Sequence, residues 1–255
     1  MFRASGFSSF ELLEGRRLLS ASIENGVLTV TGTVHSDHLS VSLNHDDHTK
    51  VDVTVNDETT SFNLADVTGG VLINGLSGKD KMVVNEEEGP LGLNVTMNGG
   101  SGRDIMHGGS GDDDINGQNG KDLCDGGAGN DTLFGGNGSD ALTGDTGDDV
   151  LKGGRGNDKL DGGDGNDDMD GGKGDDRVHG GHGNDDFSSH DGDAEVKDHT
   201  VTDDGSNEND SFNDDHKDGD GADTTSGDSG GDTMGGDGGG DTMNGDGGGD
   251  DIVPV

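Results

Sequence analysis

The chain of 255 residues has no Trp, no Tyr, two Pro and a single Cys, and only 15 of its residues are Lys or Arg. Each shortage excludes something. With 24% apolar and 3% aromatic residues, the chain lacks material for the packed core of a conventional enzyme of this length. A lone Cys124 gives no disulfide framework. Val71-Leu72-Ile73 is the longest aliphatic run, far short of the ~18 apolar residues that span a bilayer, so no membrane insertion is expected. So few bases against 55 acids leave a formal charge of −40, which argues against nucleic acid and points to cations as counterpart. The acidity is graded, with net charges of −8, −14 and −18 over residues 1–98, 99–188 and 189–255.

Abundant instead are Gly, 54 residues, and a period of nine. From Gly99 the chain repeats for ten units without a slip, each of the form Gly-Gly-x-Gly-x-Asp-x-U-x with U apolar. Position one is always Gly. Position four is Gly102, Gly111, Gly120, Gly129, Gly138, Gly147, Gly156, Gly165, Gly174 and Gly183. Position six is Asp104, Asp113, Asp122, Asp131, Asp140, Asp149, Asp158, Asp167, Asp176 and Asp185. Position eight runs Met106, Ile115, Cys124, Leu133, Leu142, Leu151, Leu160, Met169, Val178 and Phe187. Position two departs from Gly at Gln118 and Asp145, which puts those two turns in question, and position five carries Arg103, Lys121 and Ser139 where the other units have Asn or Asp.

Six Gly-rich residues suffice for a tight turn and three for a short strand, so two units make one circuit of a coil. Circuits stacked at about 4.8 Å bring Asp residues eighteen apart into two rows. Carboxylates so stacked repel one another, and a hard divalent cation that takes six to eight oxygens is the natural bridge; Mg²⁺, which demands octahedral geometry and retains its water, fits less well. Four gaps in each row of five Asp make about eight Ca²⁺, whose charge nearly offsets the tract's −14. Ten small apolar side chains are too few to order ninety Gly-rich residues unaided, so folding on Ca²⁺ binding is expected.

The unit resembles the calcium-binding nonapeptide of RTX, or hemolysin-type, proteins. That resemblance implies an all-β fold, a right-handed parallel β-roll stacked on calcium, with the ten Asp and the ten position-four Gly as metal site residues. It also implies a secreted or cell-surface protein, structural or adhesive, with cell-surface or extracellular matrix components as partners; an accessory or fragment of a larger RTX toxin or secreted enzyme is the alternative.

Around the array the organisation is read as follows. Residues 1–21 form an export or targeting segment, in which Leu13-Glu14-x-Arg16-x-Leu18-Leu19 resembles a tag of bacterial surface proteins. Residues 22–98 alternate apolar and polar, as in Val27-x-Thr29-x-Thr31 and Val51-x-Val53-x-Val55, and are read as a short β-rich cap. Within them, residues 75–83 form a degenerate unit that keeps Gly75, Gly78, Asp80 and Met82. Residues 189–217 read as an acidic linker, and 218–255 as a degenerate second tract and tail with Met234, Met243 and Ile252 at position eight, the C-terminal region being expected largely disordered.

Catalytic chemistry is not expected. Gly227-Asp228-Ser229-Gly230-Gly231 spells a serine nucleophile motif but is one phase of a repeat, with no packed site around a His base. There is no His-Glu-x-x-His and no phosphate-binding Gly loop ending in Lys-Ser/Thr. The histidine pairs His35/His38 and His45/His48 lack the further ligands a zinc site needs.

Overall fold

The computed structural model describes residues 20–189 and, beyond them, the strand residues 200–202, 211–214, 224–227, 233–236, 242–245 and 251–254. The tag at 13–19, most of the acidic linker, Ser229, and the second tract's Asp223, Asp232, Asp241 and Asp250 lie outside the described residues, as does most of the region expected to be disordered.

The nonapeptide period becomes a two-sheet parallel solenoid. Successive units alternate between the sheets: Asp114–Gly120, Thr132–Asn137, Val150–Arg155 and Asp168–Lys173 lie side by side in one, and Ile105–Ser110, Leu123–Ala128, Ala141–Thr146, Lys159–Asp164 and Arg177–His182 in the other. Pairing is parallel and offset by eighteen residues, so Ile115, Leu133, Leu151, Met169 and Phe187 stand in one column, and Met106, Cys124, Leu142, Leu160 and Val178 in the facing one. All ten are buried. Because side chains alternate along a strand, one apolar residue per unit fills the space between the sheets.

The strands are longer than the sequence suggests. Instead of three residues they take six, positions seven to nine plus one to three of the next unit, and the turn shrinks to positions four to six. Glycines at position two stay in the ladder by adopting positive φ, as at Gly136 (103°). Gln118 (72°) and Asp145 (74°) keep that backbone without being Gly, and so does Leu76 (78°), at position two of the degenerate unit. The turns in question are built, in a region that non-Gly residues occupy under strain.

The N-terminal part is continuous with the solenoid. The first column extends back through Met97, Ile73 and Val30, and the second through Met82 and Leu39, as one hydrophobic cluster. Two antiparallel additions finish it. Ser20–Glu24 pairs with Val27–Thr31 across a turn in which Asn25 (52°) and Gly26 (86°) both have positive φ, the geometry that Asn-Gly favours. Lys50–Val55 and Glu58–Asn63 form a hairpin beside His38–Leu43. The outermost strand of that hairpin is polar and largely exposed, which makes it a poor template for further pairing.

Beyond the array both ladders go on. Phe187 stands in register with Phe212, Met234 and Ile252, and Val178 with Val201, Thr225 and Met243. The strands of these segments thus continue the same two parallel ladders.

Candidate metal centre

Every position-six Asp of the array is buried, held at the turn where the chain leaves one sheet for the other. The rows form as the eighteen-residue offset requires, and the contact within each row has a definite form. One carboxylate oxygen accepts the backbone N–H of the Asp one coil earlier: Asp104 N–H donates to Asp122 Oδ1 at 2.8 Å, Asp122 to Asp140, Asp140 to Asp158 and Asp158 to Asp176 at 2.7 Å. In the second row Asp113 donates to Asp131 at 2.8 Å, Asp131 to Asp149 at 2.7 Å, and Asp149 to Asp167 and Asp167 to Asp185 at 2.9 Å. A peptide N–H, not a second carboxylate, is therefore what each Oδ1 meets.

The other oxygen is left over. Oδ2 of Asp104, Asp113, Asp122, Asp131, Asp140, Asp149, Asp158 and Asp167 is buried and accepts no hydrogen bond. One such atom is expensive in a neutral interior; here one recurs at every coil. Burial pushes Asp113, Asp122, Asp131, Asp167 and Asp176 up to about 7, and Asp149 and Asp158 to about 6, against the opposing pull of the backbone N–H each accepts. Neighbouring carboxylates add to the rise in each of them. No basic side chain offsets the rise at Asp113, Asp122, Asp131, Asp149, Asp158 or Asp167.

Carbonyl oxygens share the same space. A Cβ at Gly99 would sit 2.8 Å from Asp104 Oδ2 and 2.9 Å from Gly117 O, and one at Gly135 2.8 Å from Asp140 Oδ2 and 2.7 Å from Gly153 O. Position one is Gly because a carboxylate and the next coil's carbonyl converge there. The position-four glycines stack at the turns: Gly120, Gly138, Gly156 and Gly174 each place their Cα over the carbonyl of the Gly one coil earlier, beginning with Gly102, and Gly129, Gly147, Gly165 and Gly183 do the same from Gly111. Any side chain there would collide with that carbonyl.

Among the described residues no three His, Cys, Asp or Glu side chains come together as a metal site. Any donor set here would be one carboxylate oxygen per coil in each row, with backbone carbonyls. It is all oxygen, has no soft ligand, and fits a hard cation such as Ca²⁺ better than Zn²⁺ or copper. Cys124 is buried in the core, and its burial pushes the thiol up, as for an inert hydrophobe. His45 meets Glu88 at 2.9 Å on the surface, and His107 Nδ1 lies 3.1 Å from an Asp125 carboxylate oxygen.

A family model described as the RTX calcium-binding nonapeptide repeat (4 copies) matches residues 98–133, 134–169 and 161–194. Residues 98–194 thus carry RTX calcium-binding nonapeptide repeats. No curated protein and no solved structure matches the chain.

The RTX row also reaches further than the ten units. Asp80 N–H donates to Asp104 Oδ1 at 2.8 Å and Asp37 N–H to Asp80 Oδ1 at 2.8 Å, and Asp80 Oδ2 is buried without a partner. Asp80 stands in the degenerate unit read from the sequence, yet was not among the expected site residues. Asp37 belongs to a still weaker unit, Gly32-x-x-x-x-Asp37-x-Leu39, in which a Cβ on Gly32 would meet Asp37 Oδ2 at 2.9 Å and Gly75 O at 3.0 Å. Its signal was the Gly, Asp and apolar residues at offsets one, six and eight, with His35 in place of the central Gly.

Position five forms an outer ladder. On one turn edge Asn130 N–H donates to Asp112 Oδ1 (3.0 Å), Asp148 to Asn130 (2.9 Å), Asn166 to Asp148 (2.8 Å) and Asn184 to Asn166 (3.0 Å). The preference for Asn or Asp at position five is thereby explained: its side chain supplies the acceptor for the next coil.

Proposed function

We propose that the chain is a secreted, non-enzymatic RTX protein whose roll folds when Ca²⁺ enters the turns, and that it serves as a structural or adhesive component of the cell surface. One observation carries the calcium part: a buried, unpartnered Asp oxygen beside a carbonyl at coil after coil. In this reading the ten position-six Asp, from Asp104 to Asp185, hold the ions together with carbonyls of the turns, the position-four glycines among them. Calcium would supply the positive charge that these carboxylates lack, and so make the rows compatible with burial. The count is about eight ions in the main array, with Asp80 adding a coil to one row.

Folding is then linked to location. Where Ca²⁺ is scarce the rows repel and the chain stays extended; where it is millimolar the roll closes. That behaviour suits export before folding. The surface role is supported by a chain that is mostly scaffold: the described residues form a regular parallel solenoid. A helix long and apolar enough to cross a membrane is absent among them.

Circular dichroism of the full chain, first in chelator and then in millimolar Ca²⁺, tests the folding claim, with native mass spectrometry counting bound ions. A gain of β signal together with about eight ions is expected. Identical spectra, or a chain that binds one or two ions, would overturn it. For the location, release from the cell envelope by chelator is expected; recovery only from culture fluid would remove the adhesive role.

A further inference from the structure

The second turn edge breaks the outer ladder. Ser36 Oγ accepts from Lys79 N–H at 3.0 Å, as a position-five acceptor should, but the next three residues of this column are Lys79, Arg103 and Lys121, which have no acceptor to offer. The backbone N–H groups of Arg103 and Lys121 accordingly donate to no protein atom among the described residues. Acceptors resume at Ser139, whose Oγ takes Asn157 N–H at 3.2 Å.

The side chains likewise lack close partners, Lys121 interacting only at longer range with the charge of Asp140. Lys79, Arg103 and Lys121 are exposed, and none forms an ion pair among the described residues, in a chain with 55 acids. They sit on adjacent coils, since Gly78 pairs with Gly102 and Gly102 with Gly120. Together with Ser36 and those three glycines they form one shallow, open stretch of the surface. Three like charges at the coil spacing repel unless an anion lies among them.

We propose that this edge binds an oxyanion. A sulfate, phosphate or carboxylate group would take the place of the missing side-chain oxygens. It would accept from the amides of Arg103 and Lys121, with the guanidinium fork giving a two-pronged contact and the ammonium groups of Lys79 and Lys121 flanking it. The free small anion and the same group borne on a polymer share this chemistry, and a column of three coils offers the polymer several contacts at once.

The full calcium-loaded chain is titrated with sodium sulfate and, separately, with dextran sulfate, against sodium chloride at matched ionic strength. Amide chemical shifts of Arg103 and Lys121 are followed by NMR and polymer binding by calorimetry. Shifts with sulfate alone identify a small-anion site; binding only of the polymer identifies a polyanion site. The variant K79N/R103N/K121N restores the Asn that the other edge uses, and is expected to lose at least tenfold in binding while its calcium count is kept. The control K159N/K173N/R177N removes the same charge elsewhere and is expected to bind as wild type. Equal losses in both variants, unchanged binding in the first, or amide shifts no larger with either sulfate or dextran sulfate than with chloride would overturn the proposal. The calcium count in the same samples tests the metal reading separately.

Discussion

Asp37 and Asp104 occupy the same slot in the same row, and their surroundings differ completely. Asp37 Oδ2 accepts from Thr33 N–H (2.6 Å) and Thr33 Oγ1 (2.9 Å), and its Oδ1 from Asn56 Nδ2 (3.1 Å). Asp104 Oδ1 receives one N–H, and its Oδ2 receives nothing. The contrast extends to the regions around them. The first coils are packed with Leu28, Val30, Leu39, Val41, Val51, Val53, Val55, Val71 and Ile73 and closed by antiparallel strands, whereas the array buries a single column of apolar residues on each sheet. The same solenoid cross-section is thus closed in two ways. Where apolar surface and neutral donors suffice, the carboxylate is finished by protein; where they run out, an oxygen is left open, at which a cation could sit.

The largest test of this contrast is calcium removal. Hydrogen exchange of the full chain in chelator is expected to show loss of amide protection across 99–188, with protection surviving best at Val30, Val41, Val53 and Ile73; uniform loss would mean that the two regions do not differ in what holds them. A pH series on calcium-stripped protein comes next. Buried Asp113, Asp122, Asp131 and Asp167 have folded values of about 7, above the ordinary carboxylate value, so the folded state holds more protons than the unfolded one. Its stability is fully present below about pH 4 and is lost as pH rises through about 7. Circular dichroism should therefore find more structure at pH 4 than at pH 8 without calcium, and the opposite order with it, because acid displaces the ion.

Smaller effects are local. Asp131→Asn keeps an acceptor for Asp113 N–H and removes a charge. Calcium affinity should fall on the order of tenfold, since ligand charge tunes it, while the stripped protein becomes more ordered. Asp37→Asn should leave the calcium count unchanged, and a lost ion there would erase the distinction drawn above. Smallest of all, Leu76→Gly, Gln118→Gly and Asp145→Gly relieve positive φ, and each should raise the melting midpoint of the loaded form by an amount equivalent to about 1 kcal/mol.

The architecture of 99–188 was legible because its period is strict. An apolar residue at every eighth position of nine dictates two facing columns, and an Asp at every sixth dictates two rows. Other features were not legible for identifiable reasons. That strands would run through the Gly-Gly pair depends on position two accepting positive φ within a ladder, which composition does not reveal. Asp37 was hidden because its unit retains only Gly32, Asp37 and Leu39 of the pattern. The sharing of each carboxylate between a peptide N–H and an open side could not be read from a row of Asp, for repulsion between charges says nothing about which backbone donor lies nearby.

From residue spacing alone come the coil, its eighteen-residue repeat, its acid rows and its need for a counter-ion, because each follows from a period and from Coulomb repulsion between like charges. Tertiary structure decided the rest: which oxygen of each Asp stays open, that one row runs back to Asp37 while the other begins at Asp113, and that Lys79, Arg103 and Lys121 share one edge although 24 and 18 residues part them along the chain. Those outcomes depend on the length of the loops between coils, and only the folded stack brings their ends together.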